Sequence, residues 1–148
     1  WLLSGCGFHL REAVEVPAQL TPIHVQGGGA IRRTLEERRG TSGVALADRA
    51  AQARVIIRIH EEHRDRRVSA VDRDGKVIAS ELLYRVSFDV TDPKGQVRGE
   101  RQTINLTRNF VNPDIEVLGK QAEADLLYED MAQDMADRIL QRLKAQLL

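Results

Sequence analysis

Several things are scarce in this 148-residue chain: it has one cysteine, no excess of either charge sign and no long apolar run. Each scarcity removes a class of protein. The lone Cys6 has no partner in the chain for a disulfide. Twenty-two basic side chains balance 22 acidic ones, so the chain lacks the positive field that non-specific phosphate-backbone binding needs, and no nucleic acid is expected as a partner. Nowhere do roughly 18 to 20 apolar residues follow one another, so no helix is expected to span a bilayer. Signatures of chemistry are missing as well. No serine sits in a G-x-S-x-G elbow. In His60-Glu61-Glu62-His63 the histidines lie three apart at the exit of a strand pattern, not four apart on a helix face, and read as a solvated strand end. Gly27-Gly28-Gly29 lacks both the dinucleotide-binding spacing and the phosphate-loop Lys-Ser/Thr, and reads as a flexible connection. No catalytic residue, metal site or cofactor is expected, and the chain is read as a protein that is not an enzyme.

What is present is enough apolar residue to fold. At 42% hydrophobic, a chain this long buries roughly 70% of its unfolded surface without disulfides or metals. Thr21 to Gln26 reads as a short first strand, and Ala30 to Arg39 as a short amphipathic helix with Gly40 in the capping position. Ala53 to Val71 alternates around Val55, Ile57 and Ile59 and ends in an Asp72-Arg73-Asp74-Gly75 turn. The strongest period of two follows, with Leu82, Tyr84, Val86, Phe88 and Val90 toward a core and Leu83, Arg85, Ser87, Asp89 and Thr91 toward water. Asp92-Pro93-Lys94-Gly95 makes a second turn, and Gln96 to Phe110 returns with Ile104, Leu106 and Phe110 on one face. After Asn112-Pro113-Asp114 a long helix is expected from about Glu116 to Gln146. Its stripe runs through Ala124, Leu127, Tyr128, Met131, Met135, Ile139 and Leu143, in which the two methionines fill core gaps. Acids early and bases late along that helix complement its dipole. The expected fold class is α+β, a two-layer sandwich of one mainly antiparallel sheet of about four strands with two helices packed on one face.

Cys6 follows Leu3-Ser4-Gly5, which resembles a bacterial lipobox, and Trp1-Leu2-Leu3 looks like the tail of a signal-peptide core. On this reading residues 1–5 are a signal-peptide remnant, Cys6 carries the lipid, and residues 6–148 form one domain. The other reading of Cys6 is a small buried or reactive thiol near a frayed end. Each buried acyl methylene contributes about 0.8 kcal/mol, so two or three chains hold a protein at a membrane where one does not. By resemblance to lipoproteins, Gly7 after the cysteine implies sorting to the outer membrane.

Gly5-Cys6-Gly7-Phe8-His9-Leu10-Arg11, Pro17, the Arg73-Asp74-Gly75 turn of a β-meander, and Asn112-Pro113 followed by Leu118-Gly119-Lys120 and a charged helix come in a characteristic order. Together they resemble the LptE family, the lipopolysaccharide-assembly lipoproteins of Gram-negative outer membranes, over essentially the whole chain from Cys6 onward. The resemblance implies a non-enzymatic plug and assembly partner of the LptD-type outer-membrane β-barrel, in 1:1 ratio, that binds lipopolysaccharide and helps deliver it to the outer leaflet. It also implies a location at the outer membrane, lipid-anchored on the periplasmic side and within the barrel lumen. A polar lumen suits a net-neutral plug of which 30% of the residues are charged. The resemblance gives Arg73 and Lys120 as lipopolysaccharide-binding positions, where cations on a turn and a helix start meet phosphates. The chain departs from the family in its triple-glycine loop and in Gly119 before Lys120. A structural outer-membrane lipoprotein of similar fold, with neither barrel nor glycolipid partner, is the competing reading.

Overall fold

The computed structural model of the chain describes residues 14–39, 44–111 and 117–148, and the side chains of all of these except Val117, Leu118 and Lys120. Cys6, Gly40 and Asn112-Pro113-Asp114 lie outside the described residues. Six main elements follow in order: β1 (Ile23–Gln26), α1 (Ala30–Glu37), β2 (Val55–Val71), β3 (Val77–Thr91), β4 (Val97–Val111) and α2 (Val117–Leu147). Single 3-10 turns at Ala18–Leu20 and Ala50–Gln52 precede β1 and β2. The sheet order is β1-β2-β3-β4, with β1 parallel to β2 and the other pairs antiparallel. The parallel pair encloses α1 in its crossover connection. The expected α+β sandwich is therefore the observed one, a four-stranded mixed sheet with two helices.

The core forms where the alternation is strictest. Leu82, Tyr84, Val86, Phe88 and Val90 of β3 are each no more than 1% exposed, and burying a large apolar side chain contributes about 1.5–3 kcal/mol. Ile104, Leu106 and Phe110 of β4 lie beside them, and Ile31 and Leu35 of α1 close one side. Along α2 the buried stripe is wider than a single row, because Ala132, Ala136 and Leu140 join Met131, Met135, Ile139 and Leu143. A helix covering a sheet needs a broader apolar arc than a coiled-coil seam.

β2 departs from simple alternation. His60 is an extra residue between the pairs Ile59↔Phe88 and Glu61↔Ser87. Such a bulge shifts the period by one. Val55, Ile57 and Ile59 face the helices before it, and Glu62, Arg64 and Arg66, paired with Val86, Tyr84 and Leu82, share that side after it. His60 to His63 thus lie in the middle of a 17-residue strand and do not form a strand end. The outer face differs from expectation too. Ser87, Asp89 and Thr91 are buried, since neighbouring side chains lie over them. Arg58 forks onto Asp89 at 2.7 and 2.6 Å, and the Thr103 and Ser87 hydroxyls are 2.6 Å apart.

The triple glycine is no loose connection. Gly27 and Gly28 have φ of +77° and +74°, a conformation glycine adopts without penalty. A Cβ on Gly27 would stand 2.6 Å from the Ile59 carbonyl oxygen. The loop leads directly into α1, whose first turn contains no acidic residue of its own.

Candidate functional site

At one end of the sandwich lies the turn of the β2–β3 hairpin, between Val71 and Val77. Val111 at the end of β4 pairs with Ala79 near the start of β3, and α2 begins just after β4, so the helix start and the hairpin belong to the same end. Arg73 is exposed in the turn. The turn is held by Asp72, whose Oδ1 accepts the amides of Asp74 and Lys76, each at 2.9 Å. Gly75, at φ +80°, closes it. A cation is thereby held on a firm tip. Lys120 lies in the first turn of α2, so the topology brings both expected binding positions to this end. Around the turn the arm is apolar, with charges of both signs at Asp72, Arg73, Asp74 and Lys76: Val68 is 58%, Val71 54%, Ile78 41% and Val111 66% exposed. Grouped exposed apolar residues on a folded chain mark interaction surfaces.

Below the arm, side chains on the inner side of β2 form a charged network. The Glu62 carboxylate accepts the Gly29 amide at 2.5 Å, the Ile31 amide at 3.0 Å and the Tyr84 hydroxyl at 2.6 Å. It is a cap supplied to α1 from another element, satisfying amides that open every helix. Burial first, and then the neighbouring Glu62, push the Tyr84 hydroxyl far up, so it remains a donor at physiological pH. Arg64 lies over Tyr84 and Tyr128, 4.9 and 5.2 Å from their ring centres, and Arg66 lies 4.8 Å from the centre of Phe110. Tyr128 in turn donates its hydroxyl to the Asp65 carbonyl at 2.7 Å. Between α1 and α2 an open cleft of about 720 Å³ has Arg64 in its lining, with Arg33, Glu37, Asp125, Leu126 and Glu129 also among its walls.

Further along, ion pairs fasten the layers. Arg38 of the α1 C-cap bonds Asp137 and the Gln133 carbonyl, the latter at 2.8 Å. Arg108 of β4 bonds Asp134 at 2.8 Å, and Arg138 reaches the same carboxylate at 3.2 Å. Burial works against the Asp134 carboxylate's charge, but the two guanidiniums outweigh it and hold its pKa below the ordinary value. On the outer face the hydrogen bond from Arg58 is the main cause of a lowered Asp89 pKa, with His60 Nε2 at 3.0 Å assisting.

Sequence patterns point to the turn of Arg73 and the helix start of Lys120 but not to Glu62, Arg64 or Arg66. The only trace of these three is the lost alternation after Ile59, which a β-bulge explains in retrospect. Among the described residues no group of three or more His, Cys, Asp and Glu side chains is arranged to hold a metal ion. No helix among them is long and apolar enough to cross a membrane.

This architecture belongs to a class of small α+β sandwiches that includes solved bacterial proteins titled lipoproteins. A crystal structure titled rare lipoprotein B from Shewanella oneidensis is 25% identical, with a TM-score of 0.70 over 83% of this chain and 93% of that one. A solution structure titled uncharacterized lipoprotein B from Nitrosomonas europaea is 28% identical, with a TM-score of 0.72 over 89% and 90%. The LptE family profile, described as lipopolysaccharide-assembly, matches residues 12–143, and the chain belongs to that family. The LPS-assembly lipoprotein LptE of Photorhabdus laumondii is 25% identical over 95% of this chain and 78% of its own length. That of Pectobacterium atrosepticum is also 25% identical, over 96% and 78%.

Proposed function

We propose that this chain is a lipid-anchored plug and 1:1 assembly partner of an LptD-type outer-membrane barrel, and that its hairpin end engages lipopolysaccharide. The observation that carries the ligand half is the arm itself. Arg73 stands on a turn fixed by Asp72, at the same end as the first turn of α2 with Lys120, among exposed Val68, Val71 and Val111. Lipid A and the inner core of lipopolysaccharide join phosphates to acyl chains, and cations among apolar side chains suit both parts. For the barrel half, support comes from family membership and from a surface of locally neutralised charges, which suits a polar lumen. Cys6 carries the acyl anchor in this reading, on the periplasmic side of the outer membrane, and nothing in the mechanism needs a catalytic group.

The protein acts by binding. Phosphates meet Arg73 and Lys120, acyl chains meet the arm's valines, and the sandwich beneath stays rigid. Mild solubilisation of outer membranes followed by recovery of the tagged full-length protein tests the partnership. A large β-barrel recovered in fixed 1:1 ratio is expected; the lipoprotein recovered alone would favour a structural lipoprotein without a barrel. For the ligand, Arg73→Glu with Lys120→Glu is expected to weaken retention of lipopolysaccharide at low salt. Unchanged retention would remove both residues from the site.

A further inference from the structure

On the sheet face away from the helices, β2, β3 and β4 set their side chains in three rows. Glu61, His63, Asp65 and Arg67 stand opposite Ser87, Arg85, Leu83 and Glu81, which stand opposite Thr103, Asn105, Thr107 and Asn109. Leu83 is the one apolar side chain among these twelve, and it is half-buried. Around it His63, Asp65, Arg67, Arg85 and Asn105, together with Tyr84 and Leu106, line a depression of about 270 Å³, just below the usual range of small-ligand clefts.

On this face the carboxylates of Glu61, Asp65 and Glu81 outnumber the guanidiniums of Arg67 and Arg85. Arg85 donates to Asn105 Oδ1 at 2.9 Å and lies 4.0 Å from Glu61, while Arg67 meets Glu81 at 3.1 Å. With each cation matched by an acceptor, the depression has no spare positive charge to select a phosphate. What it offers is a dense array of planar donors and acceptors held by neighbouring strands around one apolar spot. A sugar ring matches that array, because its neighbouring hydroxyls pair with guanidinium, amide and carboxylate edges and its C–H face packs on an aliphatic floor. An acyl chain would take the polar rim out of water and offer it no hydrogen bond in return.

We propose that this depression is a neutral-glycan subsite, which takes uncharged sugar residues of the glycolipid headgroup while phosphates are held at the hairpin end. The inference rests on the glycolipid reading above and adds a second, chemically distinct contact. The test is amide NMR mapping of the full-length chain titrated with core oligosaccharide cleaved from lipid A and stripped of its phosphates. Saturable shifts are expected at residues 63–67, 83–85 and 103–107 and not at the turn of Arg73. Asn105→Ala and Arg85→Ala, each with its native amide spectrum retained, should weaken the sugar by about five- to tenfold, and Arg73→Glu should leave it unchanged.

The inference is overturned if the phosphate-free sugar leaves this face unshifted, or if shifts appear only with phosphorylated sugar. It is also overturned if the face is covered only in the presence of the barrel and the sugar does not compete. Retention of intact lipopolysaccharide, measured on the same samples, separates the two readings. Retained lipopolysaccharide with an unshifted face defeats the subsite alone, whereas loss of both defeats the glycolipid reading with it.

Discussion

The Tyr84 hydroxyl donates to the Glu62 carboxylate across the β2–β3 pair at 2.6 Å. That oxygen also accepts the Ile31 amide at 3.0 Å. One carboxylate therefore connects the central strand to the first turn of α1. Removing a charged acceptor that satisfies several donors strands them all. Glu62→Ala is expected to lower the unfolding free energy by about 2–3 kcal/mol. Tyr84→Phe should cost about 1 kcal/mol, and Glu62→Gln, which keeps one acceptor oxygen, should fall between wild type and the alanine variant. Urea denaturation of the three variants and of the Glu62→Ala/Tyr84→Phe pair measures each loss, and a non-zero coupling in the cycle checks that the groups act together.

Gly27→Ala should be harsher than an ordinary loop substitution. It puts a Cβ at positive φ and 2.6 Å from a backbone oxygen of Ile59. Backbone cannot swing away as a long side chain can, so a loss of about 2 kcal/mol or more is expected. Gly75→Ala provides the control, because its φ is also positive but nothing lies within 4 Å. The difference in melting temperature between the two isolates the contact from the dihedral.

Acid should destabilise the fold through Asp89 and Asp134, whose pKa values are lowered by Arg58 and by Arg108 with Arg138. A carboxyl with a lower pKa in the folded than in the unfolded chain contributes stability that is fully present above the unfolded value. That contribution is lost as the pH falls from the unfolded value, about 3.9, through the folded one. Stability plotted against pH is therefore expected to drop below about pH 4. The drop should be shallower in Asp89→Asn and in Asp134→Asn, both already weaker at neutral pH. An unchanged slope in both variants would show that other carboxyls carry the acid limb.

Amide exchange should vary along β3. Val86 and Phe88 are fully buried, whereas Ile78 near the turn is 41% exposed. Exchange near Val86 and Phe88 is expected only on global unfolding, and exchange on the arm at far lower free energy. Equal protection along the strand would contradict this.

The elements themselves were legible because they repeat a period. The alternation from Leu82 to Val90 and the three-and-four spacing from Ala124 to Leu143 each describe a surface that must be covered. Turn chemistry at Asp72 to Gly75 and Asp92 to Gly95 supplied the reversals. The bulge at His60 was not legible, since one additional residue leaves composition unchanged and shows only as a phase shift among charged residues. Nor was the role of Glu62, which caps a helix 31 residues earlier in the chain. The triple glycine was read as freedom, although two of its residues are held against β2. Arg73 and Lys120 were expected as site residues from turn, helix start and family resemblance, and their role stays a proposal. The sugar-sized depression around Leu83 exists only once three strands are in register.

Because the period of β2 changes at His60, a single strand has two jobs along its length. Before the bulge its inward side chains are aliphatic, and any change there is a change to the core. Beyond it they are charged and reach rings or amides, and past Arg66 the strand extends as an arm with exposed valines. Sequence drift on the arm therefore reshapes an exposed surface, while drift before the bulge reshapes the core, so surface character and foldability vary independently along one strand.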